Sequence, residues 1–255
     1  VDKYYTSNDY SMLRDRTKQD YKYFLSVMCK EFGDVKYTDL TSKQAKHAYE
    51  DWVARGISLA NHVCTVSSIV FRYAIDMEYA TINPFANVKR KSAPQRKVVW
   101  TEDDVRQFLD TAYSTFEWRS IGLIVHMAYE WCQRLGDMRL LTWDNFDFAN
   151  RKLSLEQSKR RSQVTLPIED DLYDMLIHQE QDFGFQQYVV PRTMPVQGQY
   201  QPYSMERLSK AGRAVMREAG LSDELRLSDL RRTGTTQMVE AGVPMGQIMS
   251  VTGHT

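Results

Sequence analysis

The sequence of 255 residues lacks any apolar run near the roughly 20 residues that a membrane-spanning helix needs. It also lacks a recognisable secretory signal. Cysteine is scarce: Cys29, Cys64 and Cys132 are the only three, and no C-x-x-C pair occurs. These absences argue against a membrane protein and against a disulfide framework, so we expect free thiols and a cytoplasmic location.

An excess of charge of either sign is also missing, since 33 basic residues balance 33 acidic ones. The sum gives no support to nucleic-acid binding, but phosphate contacts are local and the distribution matters more. Residues 88–99 contain Pro94, no helical periodicity and no acidic residue. This pattern predicts a basic linker between two domains, although the charge could serve solubility alone. Its basic residues are Lys89, Arg90, Lys91, Arg96 and Lys97.

Residues 1–87, before this linker, have the patterns of helices. Thr41 is well placed as an N-cap, and Ile82-Asn83-Pro84 is a turn signal that closes the helical region. The predicted helices are Asp15–Met28, Thr41–Val53 and Ala60–Tyr79.

Residues 100–255 combine helices with one hairpin. Thr101-Glu102-Asp103-Asp104 resembles a capping box, and Ile121–Cys132 is apolar almost all round, which predicts a buried helix. Gly220 and Gly242 are suitable helix stops. Further helices are predicted at Asp170–Gln179, Ser204–Ala219, Asp229–Ala241 and Met245–Val251, and strands at Lys152–Leu155 and Gln163–Leu166 around a turn at 159–162. The predicted class is α+β, mainly α with a small antiparallel β-sheet.

Two arginines are candidates for chemistry on a phosphodiester. Arg134 follows the buried helix directly, so its charge needs a partner, which could be Asp137 or the dipole at the helix end. Arg231 is expected at the border of an inward stripe on its own helix. Two such guanidinium groups can hold one phosphate and stabilise the charge of a transition state. The patterns permit this arrangement without showing that the arginines meet.

Three other residues have less specific patterns. Lys159 is predicted at an exposed basic turn with Arg160 and Arg161, a pattern that usually serves solubility or nonspecific phosphate contacts. Ser228 lies three residues before Arg231 on the same helix face. We expect Ser228 to be the N-cap of the helix that opens at Asp229, with a minor phosphate contact. His254 follows a glycine, and a lone histidine is more often structural than catalytic.

In order along the chain, these segments resemble the active-site boxes of the tyrosine recombinase (phage integrase) family. Arg134 lies in CQRLGDMRLLTWDNFD, Lys159 in EQSKRRSQVTLPI, Arg231 in LSDLRRTGTTQMVEAG, and His254 in the final Gly-His pair. The family's boxes are T-G-x-R-x-x-E-L, a hairpin lysine, H-x-L-R-x-T and L-G-H. Ser228 departs from this pattern because it occupies the usual histidine position. The helical region before the linker resembles the family's core-binding domain more weakly.

The resemblance implies a site-specific DNA recombinase that works through a 3′-phosphotyrosyl intermediate, without cofactor or metal. Arg134 and Arg231 would hold the scissile phosphate, and Lys159 would be the general acid, with Arg160 as the alternative if the hairpin register shifts by one. His254 would donate a hydrogen bond to that phosphate. Ser228 cannot replace a histidine base, so the base stays open. The nucleophilic tyrosine is expected beyond Thr255, so we expect this chain to bind DNA without cleaving it.

The resemblance also implies the partners and the domains. Residues 1–87 would be a core-binding domain, 88–99 the linker and 100–255 a catalytic domain that is incomplete at its C-terminus. The basic linker residues, Arg160 and Arg161 would contact a double-stranded recombination site. The full-length protein would form a homotetramer on DNA, at the nucleoid of a bacterial or phage-infected cell, and this chain a monomer. Two alternatives are a non-catalytic DNA-binding protein of the same fold and an unrelated helical regulator with Arg134 and Arg231 far apart.

Overall fold

The structure is a computed structural model that describes residues 1–159 and 161–253. It divides into two compact units, Val1–Arg96 and Lys97–Thr255. Residues 88–101, which include the predicted linker, form neither helix nor strand. Among the described residues, no helix combines the length and the apolar character that a membrane span requires.

The first unit is built from helices around an apolar core. Thr41 caps α4 with a full capping box, because its hydroxyl accepts from Gln44 N while the Gln44 side chain accepts from Thr41 N. The core includes Leu25, Trp52 and Phe85. The helices are α1 (Asp2–Tyr5), α2 (Asn8–Ser11), α3 (Asp15–Phe32), α4 (Ser42–Arg55) and α5 (Ile57–Asp76).

The three helices predicted in this unit are present, with shifted ends. The third begins earlier than predicted, directly after Gly56, whose φ of 143° suits a glycine. It also ends earlier, at Asp76, because Glu78 has a positive φ of 56° and the chain leaves the helical path there. Within the shifted ends, Ala60, Val63 and Val70 of this helix lie in the core.

The second unit packs its helices around α7, which is buried along most of its length. Thr101 forms the predicted capping box with Asp104 at the start of α6. The helices are α6 (Glu102–Tyr113), α7 (Phe116–Glu130), α8 (Leu135–Met138), α9 (Asp170–Phe183), α10 (Met205–Glu218), α11 (Leu230–Glu240) and α12 (Met245–Thr252).

A small antiparallel sheet completes this unit. Its strands are β1 (Phe146–Asp147), β2 (Lys152–Glu156) and β3 (Gln163–Pro167), in the order β1-β2-β3. Buried and exposed residues alternate along β2 and β3, so one face covers the core. The predicted fold class, mainly α with a small antiparallel sheet, is confirmed, and β1 is an addition to it.

Near the C-terminus, the structure confirms two predicted helix ends and corrects one predicted helix start. Gly220 and Gly242 follow α10 and α11 with φ values of 65° and 75°, as expected for helix stops. The prediction that Ser228 is an N-cap is wrong. Ser228 lies inside a 3-10 turn, Leu227–Asp229, that continues directly into α11. Asp229 therefore occupies the cap position, with helical backbone angles and no capping side chain.

Candidate active site

Arg134 lies at a sharp turn of the chain between α7 and α8. The turn is made by Cys132, which has a left-handed φ of 49°, and it brings Arg134 to the N-cap position of α8. The Arg134 side chain is 24% exposed, and its Nη1 donates to Gln157 Oε1 at 3.0 Å. The local pairing with Asp137 is also present, but only at 3.9 Å between Nη1 and Oδ2. Arg134 thus retains an open side in a largely buried setting.

Arg231 lies in the first turn of α11 and is partly buried. Its Nη2 donates to the main-chain oxygen of Thr252, at the end of α12. Two neighbours in α11 fix the helix beneath it. Thr233 accepts a hydrogen bond from Trp100 N at 3.0 Å, and Gly234 packs directly against Cys132. The position of Arg231 is therefore tied both to the start of the unit and to the turn before Arg134.

Gln157 connects the two arginines. It is fully buried and accepts from Arg134 through Oε1, while its Nε2 donates to Thr252 O at 2.9 Å. Because Arg231 donates to the same oxygen, an unbroken chain of hydrogen bonds runs from one guanidinium group to the other. The alternative in which Arg134 and Arg231 lie far apart is therefore wrong.

A second buried amide extends this network. Gln133 accepts from Gln157 Nε2 at 2.6 Å and donates to Val251 O at 2.7 Å. The two glutamines thus join the turn after α7, the β2–β3 hairpin and the last turn of α12. Reasoning from the sequence missed both residues. The available signal was their place beside the boxes, since Gln133 precedes Arg134 and Gln157 lies two residues before Lys159.

Lys159 lies in the turn between β2 and β3 and is exposed. The turn is closed by backbone hydrogen bonds from Gln157 N to Ser162 O and from Arg161 N to Gln157 O. Ser158 N also donates to Asp137 Oδ1 at 3.3 Å, which attaches the turn to α8. Arg161 is exposed on the same turn, with a left-handed φ of 55°, and Arg160 lies outside the described residues.

Ser228 is exposed beside the arginine of α11. A cavity of about 440 Å³ is lined by this serine and by one face of α11, with Arg231, Arg232, Thr235, Thr236 and Val239. The lining combines two guanidinium groups with three hydroxyl groups, which are groups that bind anions. His254 lies outside the described residues, and the preceding Gly253 ends α12 with a left-handed φ of 63°.

The basic residues of the predicted linker belong to both units. Four of them are exposed and Arg96 is partly buried. Lys91 is attached to the first unit, because its N donates to Tyr49 Oη at 2.6 Å and its O accepts from Asn61 Nδ2 at 2.9 Å. Arg90 contacts Cys64 in the same unit. Lys89, Arg90 and Lys91 thus lie on the surface of the first unit, and Lys97 begins the second.

Comparison with known proteins identifies the family. Lambda integrase bound as a dimer to a COC′ core site has a TM-score of 0.83 and 19% identity, over 99% of this chain and 72% of that chain. The lambda integrase tetramer bound to a Holliday junction has a TM-score of 0.82 and 20% identity, over 100% of this chain and 76% of that chain. Tn1549 transposon integrase in complex with circular intermediate DNA has a TM-score of 0.74 and 14% identity, over 96% of this chain and 87% of that chain. These likenesses show a shared fold.

No curated protein matches the sequence with significance. The model of the phage integrase family, in contrast, matches residues 99–255, which is more than half of the chain. This match includes Arg134, Lys159 and Arg231 together with the hairpin and helices that hold them. The chain therefore belongs to the phage integrase family of tyrosine recombinases.

Proposed function

We propose that this protein is a site-specific DNA recombinase, of the phage integrase type, that cuts and rejoins duplex DNA through a 3′-phosphotyrosyl intermediate. The observation that carries the proposal is the hydrogen-bonded chain from Arg134 through Gln157 and Thr252 O to Arg231. Family membership supports it, as do the similar folds that were solved as DNA complexes.

The two arginines hold the non-bridging oxygens of the scissile phosphate. Each guanidinium group donates to the network, and arginine presents five N–H groups in a fixed plane that matches the geometry of phosphate oxygens. Attack by a tyrosine hydroxyl gives a pentacovalent phosphorus with added negative charge. Two fixed positive groups in a partly buried setting stabilise that charge more than they stabilise the ground state.

Lys159 is the general acid of the reaction. As the tyrosine oxygen bonds to phosphorus, the bond to the 5′-oxygen breaks and Lys159 transfers its proton to that oxygen. The phenolic proton leaves to water, because serine at position 228 is a poor base at neutral pH. The phosphotyrosyl bond stores the energy for rejoining, so the cycle needs no ATP. The place of Lys159, two residues after Gln157 in a closed turn, supports this role.

His254 and Ser228 assist at the same phosphate. Gly253 lies at the end of α12 beside Gln157. His254 is the next residue in the sequence and would donate a hydrogen bond to the phosphate. The Ser228 hydroxyl lines the cavity of Arg231 and would contact another phosphate oxygen.

Duplex DNA is the proposed partner. Lys89, Arg90, Arg96 and Lys97, with Lys91 and the turn residues Arg160 and Arg161, would contact backbone phosphates. Residues 1–87 would form the core-binding domain, residues 88–99 the linker and residues 100–255 the catalytic domain. We expect affinity to fall steeply with salt as counterions are released. A homotetramer on DNA is proposed, by analogy with the lambda integrase tetramer bound to a Holliday junction.

A non-catalytic DNA-binding protein of the same family is the second candidate. The observation that favours it is Ser228, since an exposed serine stands where the family's boxes have histidine. Family membership removes the hypothesis of an unrelated helical regulator.

A structure with bound orthovanadate tests the anion site. We expect Arg134, Lys159, Arg231 and His254 to surround a single anion. An anion bound elsewhere, with the two arginines turned away from it, would contradict the catalytic assignment.

A cleavage assay separates the two candidates. The chain is extended through the expected tyrosine, and nicked duplexes are selected from a random pool by binding. A covalent adduct supports the recombinase, and its absence supports the binding protein; residues 1–255 alone should bind without an adduct. Arg134→Lys and Arg231→Lys should each slow adduct formation by about a hundredfold or more, because lysine cannot hold two oxygens at once. Arg217→Lys, on the exposed side of α10, is the control and should leave the rate unchanged.

A further inference from the structure

Gln157 is buried more completely than its position near an exposed turn would suggest. Its side chain has 0% exposure, and a buried amide is tolerated only when its polar groups find partners. Both hydrogens of Nε2 are used, toward Gln133 and Thr252, and Oε1 accepts from Arg134. The amide of Gln157 is therefore bonded to groups from two other segments, the turn after α7 and the end of α12.

The partners also fix the orientation of this amide. Arginine can only donate and a main-chain oxygen can only accept. Oε1 must therefore face Arg134, and Nε2 must face Thr252. A flipped amide would lose both bonds at once, so the side chain has one satisfied orientation. Such a group restricts the rotamers of the residues bonded to it, which for Arg134 means the direction of the guanidinium plane.

The backbone of Gln157 determines a second position. Its N and O close the β2–β3 turn through Ser162 and Arg161, and Lys159 lies within that turn. The same residue thus bonds the arginine of one box through its side chain and closes the turn of another box through its main chain. The third box is reached through Thr252 O, which Gln157 shares with Arg231.

We propose that Gln157 is the positioning residue of the active site, which sets Arg134 and Arg231 on one phosphate and fixes the turn of Lys159 against them. The inference rests on the proposed function of those three residues. Gln157 acts through the two guanidinium groups and the turn. Its own amide atoms bond to protein groups and are not assigned a contact with the phosphate.

The first test uses inorganic phosphate and the chain of residues 1–255. The Nε–Hε resonances of Arg134 and Arg231 are followed by NMR as phosphate is added, at a temperature where every variant is folded. In the wild type both signals should move along one saturation curve. Gln157→Met, which keeps the side-chain length but no hydrogen bonds, should weaken phosphate binding at both arginines by about tenfold or more.

Two further variants control this test. Gln163→Met changes an exposed glutamine of the same hairpin and should bind phosphate like the wild type. Gln157→Asn keeps the amide but cannot reach all partners, so it should weaken binding by several fold if the methionine variant fails to fold. A purely structural role would lower thermal stability and leave the affinity of the folded protein unchanged. Wild-type affinity in both position-157 variants would overturn the inference.

The second test addresses the turn of Lys159 in the extended chain. A 5′-bridging phosphorothiolate releases a thiolate, which needs no proton from a general acid. Gln157→Met should therefore slow cleavage of the ordinary phosphodiester more than cleavage of the thio substrate. Equal slowing of both substrates would overturn the link between Gln157 and Lys159.

The outcomes separate the inference from the function on which it rests. If the wild-type arginines respond to phosphate with two unrelated curves, or not at all, the proposed function fails. If they share one curve that the position-157 variants leave unaltered, only the positioning role fails.

Discussion

Gln157 and Gly253 approach so closely that a Cβ added at position 253 would lie 2.6 Å from Gln157 Oε1. Side chains do not tolerate such a distance, and Gln157 cannot retreat without losing its buried hydrogen bonds. Gly253 also has a φ of 63°, in the left-handed region that favours glycine. The glycine of the Gly-His pair is therefore required both by its backbone and by its neighbour.

Gly253→Ala should destabilise the protein and weaken phosphate binding together. The left-handed backbone costs about 1–2 kcal/mol for a residue with a Cβ, and the displaced amide of Gln157 releases Arg134 and Thr252. Urea unfolding measures the first effect, and phosphate titration measures the second.

Gly242→Ala is the matched control for this substitution. Gly242 has a φ of 75°, but nothing lies within 4 Å of an added Cβ there. It should show the backbone cost alone, with phosphate binding intact. Equal losses of phosphate affinity in the two variants would contradict the role assigned to the contact between Gly253 and Gln157.

Gly234→Ala should also destabilise the protein, although alanine is the better helix former. An added Cβ would lie 2.5 Å from Cys132 Sγ and 2.9 Å from Tyr129 O, so α11 must move away from the end of α7. Overpacking of this kind costs about 1–3 kcal/mol, against a gain of up to about 1 kcal/mol in helix propensity. Thermal and urea unfolding should show a net loss of stability, with weaker phosphate binding because α11 holds Arg231.

Gly246→Ala is the control, because it makes the same glycine-to-alanine change inside a helix without a steric clash. Gly246 lies in α12, and nothing lies within 4 Å of an added Cβ. This variant should be neutral or more stable by up to about 1 kcal/mol. If Gly234→Ala behaved in the same way, the packing of α11 on α7 would not explain the glycine.

Local signals explain why most of the fold could be predicted. Thr41 and Thr101 each open a helix with a capping box that depends on residues three positions apart. Alternating burial along β2 and β3 reflects the period of two in the sequence. The strand β1 was missed because two residues cannot show a period. Ser228 was misplaced because an N-cap and a 3-10 turn that leads into a helix have similar sequence patterns.

The candidate site was only partly predictable, for a physical reason. The arginines and the hairpin lysine lie in boxes that a resemblance can find. Gln157, in contrast, bonds to residues 24 and 95 positions away, Gln133 and Thr252, so no local pattern records its partners. Glutamine is usually exposed, and its burial here follows from the meeting of three segments. A tertiary network of this kind becomes visible only when the chain is folded.

The three cysteines should differ in reactivity toward Ellman's reagent. Cys29 is exposed, whereas Cys64 and Cys132 are buried, and burial raises the pKa of the Cys132 thiol to about 11. Because the thiolate is the reactive form, we expect one equivalent to react in the native protein and three after unfolding. Cys29→Ser should remove the native equivalent. Labelling of Cys132 in the native protein would contradict its burial against Gly234.

His126 should make the stability of the protein depend on pH. Its ring lies at a cavity of about 270 Å³ with Glu130, Glu169, Asp170 and Asp171, and Tyr113 Oη is 3.0 Å from Nδ1. Burial lowers the pKa of His126 to about 4, against an opposing effect of Asp171. At a pH between about 4 and the ordinary pKa of 6.5, the histidine is protonated in the unfolded chain but neutral in the folded one. Stability from His126 is therefore complete above about pH 6.5 and declines toward pH 4, by on the order of 2–3 kcal/mol.

His126→Gln isolates this contribution from that of the carboxyl groups. Burial raises the pKa of Glu130, so that group favours the folded state as pH falls and opposes the effect of His126. Glu130 is present in both proteins, whereas a glutamine at position 126 does not titrate at all. The free energy of unfolding of the wild type, relative to that of the variant, should therefore be highest near pH 7 and should fall as the pH approaches 4. A constant difference across this range in urea unfolding would show that His126 is protonated equally in the folded and unfolded chains, and hence that its burial does not lower its pKa.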